Sequence, residues 1–482
     1  MAVFPKGNHT AIISTLFSSC CTHKSKRPAT FSFPLMACKL RDKAIELFKE
    51  SFNDRPSVYA YAPGRVNFIG EHTDYCEGFV CPLAIHYGTA VVGKLVPGNT
   101  CRVVSANMEG MCEFKGDSSL TRDESGSWVN YVAGVVYEFI TRFGKKEVGF
   151  DMAIAADVPI GSGLSSSASL EVAVSVFLEQ ILCVALSPED RALLCQSAEH
   201  TFPRMPCGIM DQFISSCAVK GNLLLIDCRA NKGELVPMAD PSVSIIVCNS
   251  NKKHQLTGSE YPDRVAQCKQ ALALLQAKYP EVRALRDASV EQVEALKEAL
   301  GDVVYRRALH VVSECQRCLA CKEALERRDY EKVGLLLYQS HASLRDNFEV
   351  STPEIDILVE IASEQDGVFG ARITGGGFGG CVVCFVQSDK AEAVMRAMET
   401  EYKARTGIEC SAFITSPEQG ARVMTADEVD ACPNCASCAT CDCCKGCKCC
   451  ECVKKVVKSP YFWMGAAAVA AAGVFAFMHR RN

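Results

Sequence analysis

The sequence predicts an α+β protein of two domains, extended by a Cys-rich linker and one C-terminal membrane helix. Three observations lead there. Strand patterns and helix patterns alternate through residues 38–428, a length that can fill two cores. Glycine clusters stand where strands meet helices, as backbone pressed close to a ligand or to another chain segment requires. Beyond residue 428 the composition breaks: ten of the chain's 30 cysteines fall in residues 432–452, and an apolar run follows over 461–478. The expected division is an extension or transit segment over 1–37, an N-terminal domain over 38–240, a C-terminal domain over 241–428, a Cys-rich linker over 429–460 and a tail anchor over 461–478.

Residues 1–37 contain no acidic side chain and carry Lys6, Lys24, Lys26 and Arg27, which suits an organelle transit segment or a disordered extension. Leu40, Ala44, Leu47 and Phe48 then recur at helical spacing and mark the first folded element. The net charge of −5 argues against a nucleic-acid partner but not against a small anion held locally. The scattered cysteines read as small buried residues of a reducing compartment.

An apolar strand from Tyr59 meets the turn signal Pro63-Gly64, after which Arg65, Asn67, Glu71, His72 and Asp74 crowd around apolar Val66, Phe68 and Ile69. Such a segment is tied down by its apolar members while it offers donors and acceptors, which suits a polyhydroxylated ligand; a surface turn of chance polarity is the alternative. Strands follow over 87–96 and 101–106, a helix over 128–143 and a strand over 150–158. Residues 159–169 turn through Gly161 and Gly163 into Ser165, Ser166 and Ser167, and an apolar helix pattern runs over 170–184. Glycines permit close approach, a helix N-terminus favours negative charge and serine hydroxyls serve phosphate or Mg²⁺, so the loop reads as a phosphate cradle or, more simply, a Ser-rich cap. It lacks the lysine of a P-loop. Glu199 ends one helix and Asp211 starts another across a Pro- and Gly-containing turn, a spacing that suits metal ligation and proton acceptance in one pocket, or two solvated helix ends.

The second half reads as a strand over 243–248, helices over 261–279, 290–300, 303–328 and 330–348, and a glycine cluster over 370–380 leading into a strand over 381–386. A helix over 390–405 and a strand over 410–414 complete it.

Three motifs in order, Pro63-Gly64-Arg65-Val66-Asn67 with Gly70-Glu71-His72-Thr73-Asp74-Tyr75, then residues 159–169, then 374–380, make residues 38–428 resemble the galactokinases, within the GHMP small-molecule kinases that include homoserine and mevalonate kinases. The resemblance implies a two-domain fold with the active site in the cleft between domains, and transfer of the ATP γ-phosphate to the anomeric hydroxyl of α-D-galactose. It implies Asp211 and Arg65 as the catalytic pair; Arg65, Glu71, His72, Asp74, Gly208, Asp211 and Tyr261 as sugar contacts; and Ser166 and Glu199 as Mg²⁺ ligands. Pro159, Gly161, Ser162, Gly163, Leu164, Ser165, Ser166, Ser167 and Ala168 would hold ATP. Thr73 favours galactose over N-acetylgalactosamine, with Cys76 a departure toward the acetamido-sugar kinases; a non-catalytic galactose and ATP sensor is the other alternative.

The dense thiols of 432–452 could bind Zn²⁺ or Cu⁺, carry lipid or form a plain linker. The apolar run over 461–478, with basic residues on both sides, predicts a tail anchor in an organelle outer membrane with the enzyme facing the cytosol, the alternative being a soluble cytoplasmic protein.

Overall fold

The computed structural model describes residues 33–252 and 260–424, with side chains from residue 37 onward. In the N-terminal domain α1 (Phe33–Phe52) precedes β1 (Val58–Asn67), β2 (Phe79–Val80), β3 (Pro82–Val96), β4 (Thr100–Ser105) and β5 (Met108–Lys115). Then come α2 (Val129–Phe143), β6 (Gly149–Ala156), α3 (Ser166–Leu182), α4 (Pro188–Thr201), α5 (Met210–Cys217), β7 (Asn222–Asp227) and β8 (Lys232–Pro237). The C-terminal domain follows with β9 (Val243–Asn249), α6 (Glu260–Lys278), α7 (Val290–Glu294), α8 (Lys297–Glu326), α9 (Tyr330–Asp346), α10 (Pro353–Ser363), β10 (Val368–Thr374), β11 (Cys381–Gln387), α11 (Ala391–Thr406) and β12 (Ser411–Thr415). The chain ends its described course in β13 (Arg422–Val423), which returns to the first sheet.

The first sheet has six strands in the order β13-β1-β3-β6-β4-β5, the second four in the order β10-β11-β9-β12, and β2-β7-β8 form a small third sheet. One face of the first sheet packs on α2, α3 and α4 through residues such as Val91, Phe150, Val172 and Phe177, and α1 covers the other through Ala44 and Phe48. A core in the C-terminal domain gathers α6, α8, α9, α10 and the second sheet. Between the two, Val66, Phe68, Ile69 and Leu164 pack in one cluster with Val247, Cys318 and Phe385, so the sugar-type segment is anchored on the C-terminal domain.

Three local expectations change. Pro63-Gly64 is no turn: it lies inside β1, where the register with β3 shifts between Pro63 and Arg65. That bulge frees the Arg65 N–H to bond the Leu164 carbonyl at 3.1 Å, and a Cβ on Gly64 would stand 2.7 Å from the same oxygen, so only glycine lets the strand approach the Gly-Ser loop. The helix expected over 290–300 ends at Glu294, while the expected gap between residues 300 and 303 is a break inside α8 at Gly301, φ 70° and ψ 162°. The third glycine cluster begins inside β10, which pairs antiparallel with β11.

The membrane-anchored architecture is corrected. Among the described residues no helix is long and apolar enough to cross a membrane; even α8, 30 residues long, is interrupted by charges such as Glu298, Asp302 and Arg306. The cysteine run 432–452 and the apolar run 461–478 lie outside the described residues. The fold is the two-domain α+β architecture, and neither a membrane partner nor an outer-membrane location is carried further.

Candidate active site

Arg65 leaves β1 just after the bulge, and Asp211 sits in the first turn of α5. The two meet in a two-point ion pair, Arg65 Nε donating to Asp211 Oδ1 at 2.8 Å and Nη2 to Oδ2 at 2.9 Å. The Arg65 Nη1 donates to the Gly163 carbonyl, so one planar guanidinium ties the carboxylate to the Gly-Ser loop. Arg65 is buried while a quarter of the Asp211 side chain (26%) stays exposed, which leaves the carboxylate an open side. Burial works against the Arg65 charge, but Asp211 and Glu71 outweigh it and raise its pKa further.

In the Gly-Ser loop Gly161 and Gly163 take φ of 73° and 77°, and Ser162 folds its hydroxyl back to the Pro159 carbonyl at 2.7 Å. Ile160 at the tip is exposed. Ser166 and Ser167 are half-buried in the first turn of α3. Ser165 was expected in a phosphate cradle; its hydroxyl instead donates to Asp211 Oδ2 at 2.5 Å. The third glycine cluster presses on this loop, since a Cβ on Gly375 would lie 2.8 Å from the Gly163 oxygen, and Cys381 Sγ donates to the Ser162 carbonyl at 3.2 Å. The glycines there serve close contact between chain segments.

The segment after Arg65 is more deeply enclosed than its polarity suggested. Glu71 Oε1 accepts from the Gly375 N–H at 2.7 Å and lies 3.2 Å from Thr374 Oγ1 and 3.5 Å from Arg372 Nη1. The Arg372 guanidinium, fully buried, also donates to the Asn67 and Phe68 carbonyls at 3.2 Å each. His72 bonds the Tyr75 hydroxyl at 2.9 Å through Nδ1 and the Gly376 carbonyl at 3.2 Å through Nε2, and its ring lies against Phe348, 4.8 Å between centroids. Burial, with His310 nearby, pushes its pKa down to about 3, so it is a neutral imidazole. Tyr261, in the first turn of α6, completes an aromatic wall at 5.6 Å from His72 and 5.7 Å from Tyr75. Asp74 packs so tightly on Gly208 that a Cβ there would fall 1.8 Å from its Oδ2. Burial and the charge of Asp211 raise the Asp74 pKa to about 7. Thr73 spends its hydroxyl on its own loop, toward the Gly70 and Phe79 carbonyls.

Glu199, near the end of α4, is buried and its pKa is raised to about 7, by burial and then by Asp211. Glu171 on α3 lies against it and is held far above the carboxylate range by burial and by Glu199. Gln212 Nε2 donates to Glu171 at 3.0 Å and to Glu199 at 2.5 Å, yet Glu171 Oε1 and Gln212 Oε1 have no hydrogen-bond partner among the described residues. Sequence reasoning missed Glu171 and Gln212; the available signal was a carboxylate inside an otherwise apolar helix pattern. Among the described residues no three His, Cys, Asp or Glu side chains converge on a metal by themselves. Mg²⁺ on a nucleotide does not need three, because it keeps phosphate oxygens and waters and takes one or two protein ligands. Crowded carboxylates with an orphaned oxygen at the foot of the serine loop fit such a cation. The Zn²⁺ or Cu⁺ expectation falls on residues 432–452, outside the described residues.

A cleft of about 510 Å³ opens beside Asp74 and Gly208, with Tyr75, Gln196, His200, Arg204, Cys207 and Lys269 in its walls. It touches the acceptor side of the site, whereas Arg65, Asp211 and the Gly-Ser loop are not among its walls.

The galactose-binding signature of galactokinases matches residues 46–95, the N-terminal domain of GHMP kinases residues 130–218, and their C-terminal domain residues 321–404. The chain is similar to the galactokinase of Mannheimia succiniciproducens, at 43% identity over 80% of this chain and 99% of that one. It is similar to the galactokinase of Homo sapiens at 40% identity over 80% and 97%. Among solved structures, Lactococcus lactis galactokinase complexed with galactose superimposes with a TM-score of 0.76 at 34% identity, covering 79% of this chain and 99% of that one. A Methanococcus jannaschii mevalonate kinase, at a TM-score of 0.54 and 17% identity over 76% of this chain and all of that one, shares the fold.

Proposed function

The chain belongs to the galactokinase family of GHMP kinases, and on that premise we propose how its residues divide the work. The reaction is ATP-dependent phosphorylation of galactose to galactose 1-phosphate. Phosphoryl transfer asks a protein for in-line positioning and charge stabilisation more than for covalent chemistry. The open side of the Asp211 carboxylate accepts the hydrogen bond of the sugar's anomeric hydroxyl and takes its proton as that oxygen bonds the γ-phosphorus and the bond from the γ-phosphorus to the bridging oxygen of ADP breaks. Arg65 holds that carboxylate by its two-point ion pair and stabilises charge on the transferring group. Glu71, His72, Asp74, Tyr261 and the backbone at Gly208 surround the rest of the sugar. The neutral His72 has both ring nitrogens taken, Nε2–H by the Gly376 carbonyl and Nδ1 by the Tyr75 hydroxyl, so it shapes the pocket, while an ionised Asp74 accepts from sugar hydroxyls. The loop over 159–168 carries the nucleotide phosphates on backbone N–H groups and the α3 N-terminus. Ser166 and Glu199 would hold Mg²⁺, which when bound neutralises phosphate charge.

One observation carries this reading: a single guanidinium bonds both the Asp211 carboxylate and the Gly163 carbonyl, fixing the acceptor-activating group relative to the donor loop. The relatives favour galactose over N-acetylgalactosamine and over a non-catalytic sensor. The test is turnover of a panel of free sugars with ATP and Mg²⁺, beside Asp211→Asn. Galactose should have the highest kcat/KM, and the variant should lose at least about a thousand-fold in kcat while still binding both substrates. A variant with kcat within ten-fold of the parent would overturn the role of Asp211.

A further inference from the structure

Ser165 breaks two local rules at once. Its φ of 62° and ψ of 50° place a residue with a Cβ in the left-handed region, where glycine costs nothing. It is also the residue that opens α3, where a serine ordinarily accepts a hydrogen bond from the first turn, and its side chain makes no such cap. The hydroxyl goes to Asp211 Oδ2 instead, completing with the Arg65 fork a set of three donors on the carboxylate. The residue is buried, so the bond is shielded from water. A glycine would fit this backbone better; what serine adds among the described residues is its bond to Asp211.

From this geometry we infer that Ser165 is a positioning residue for Asp211, which couples the conformation of the nucleotide loop to the orientation of the carboxylate that receives the sugar's proton. The inference rests on the role proposed for Asp211. With Arg65 holding both carboxylate oxygens and Ser165 holding Oδ2, the carboxylate plane is fixed and one lone pair, on Oδ1, is left for the sugar hydroxyl. Because Ser165 is contiguous with Ser166 and Ser167, the same bond makes that alignment depend on the loop's shape.

The test compares Ser165→Gly and Ser165→Ala in the full chain. Both remove the donor, and only glycine relieves the backbone. Both variants should lose about ten- to a hundred-fold in kcat, the worth of a hydrogen bond to a charged group, with KM for galactose and for ATP within about two-fold of the parent. Ser165→Gly should melt at or above the parent temperature and Ser165→Ala should not. A purely structural serine would make kcat follow stability, so a Ser165→Gly protein with parental kcat would overturn the inference, as would loss of activity tracking loss of folded protein. Asp211→Asn separates the two layers: if it retains activity, the reading of Asp211 fails; if it is inactive while Ser165→Gly is fully active, only the role of Ser165 fails.

Discussion

Asp74 shows how burial can set a working pH. Its carboxyl is removed from water and faces Asp211, so its pKa rises to about 7. For stability the sign is unfavourable to high pH: the folded state holds a proton that the unfolded chain releases near 4, and that contribution is lost as pH rises through 7. For sugar binding the sign is reversed, because an ionised carboxylate accepts from hydroxyls on all its lone pairs while the protonated one spends an oxygen on its own proton. KM for galactose should therefore fall by several-fold between pH 6 and pH 8, and Asp74→Asn should have a raised KM that is flat across the same range. Steady-state kinetics at saturating ATP measures this; a parental KM that does not change over the window would remove Asp74 from the binding step. Single residues of this kind were legible in the sequence because unusual polarity inside an apolar run has few uses. Their partners were not: Arg65 finds Asp211 across 146 positions and Glu71 finds the Gly375 N–H across 304, and local pattern states that a group must be satisfied without saying by what.

At the scale of elements, α8 acts as a clamp beneath the sugar segment. Its His310 bonds the Glu71 carbonyl at 3.1 Å and Ser343 Oγ at 2.9 Å, and its Glu314 accepts from the Gly70 N–H at 3.0 Å and from Ser340 Oγ at 2.6 Å. Burial lowers the His310 pKa to about 4 despite Glu314 beside it. Glu314 is lowered to about 2: burial opposes its charge, but Arg317, His310 and Arg372 outweigh it. Between pH 4 and 6.5 an unfolded histidine carries a proton that folded His310 refuses, so stability rises with pH through that window. Replacing it in His310→Gln should lower stability throughout and flatten the slope by up to one proton, about 1.4 kcal/mol per pH unit. Denaturant unfolding at a series of pH values reads the slope, and parallel curves for variant and parent would refute the assignment. The sequence marked the break at Gly301, between helices over 290–300 and 303–328, but ran α7 into the first turn of α8, because no glycine or proline separates Glu294 from Lys297. Pro63-Gly64 misled for a related reason: the same dipeptide that makes a turn also makes a bulge when a loop 100 residues away demands close approach.

For the molecule as a whole, the two domains share a core instead of meeting at a thin hinge. Phe68, from the segment after β1, is fully buried and meets Phe385 of β11 edge-on, 5.6 Å between centroids at 85°, and Leu83 and Leu164 of the N-terminal domain pack in the same cluster as Val247 and Val383 of the second sheet. Fully buried Arg372 adds a polar tie, reaching from β10 to the Asn67 and Phe68 carbonyls. The sequence announced two domains through alternating strands and helices, yet could not show that motifs one and three interlock, since each reads as complete by itself. Such a shared core implies that neither domain keeps its native stability without the other. Phe68→Ala should cost about 3–5 kcal/mol, the range for deleting a buried aromatic, and the loss should be felt equally on both sides. Native-state hydrogen exchange followed by mass spectrometry makes the comparison directly: peptides covering β6 and β11 should lose the same free energy of protection in the variant, because both exchange through one cooperative opening. If β11 lost protection while β6 kept it, the domains would be separately stable units, and the cleft would be held by the local contacts of Glu71 and Arg372 rather than by a common core.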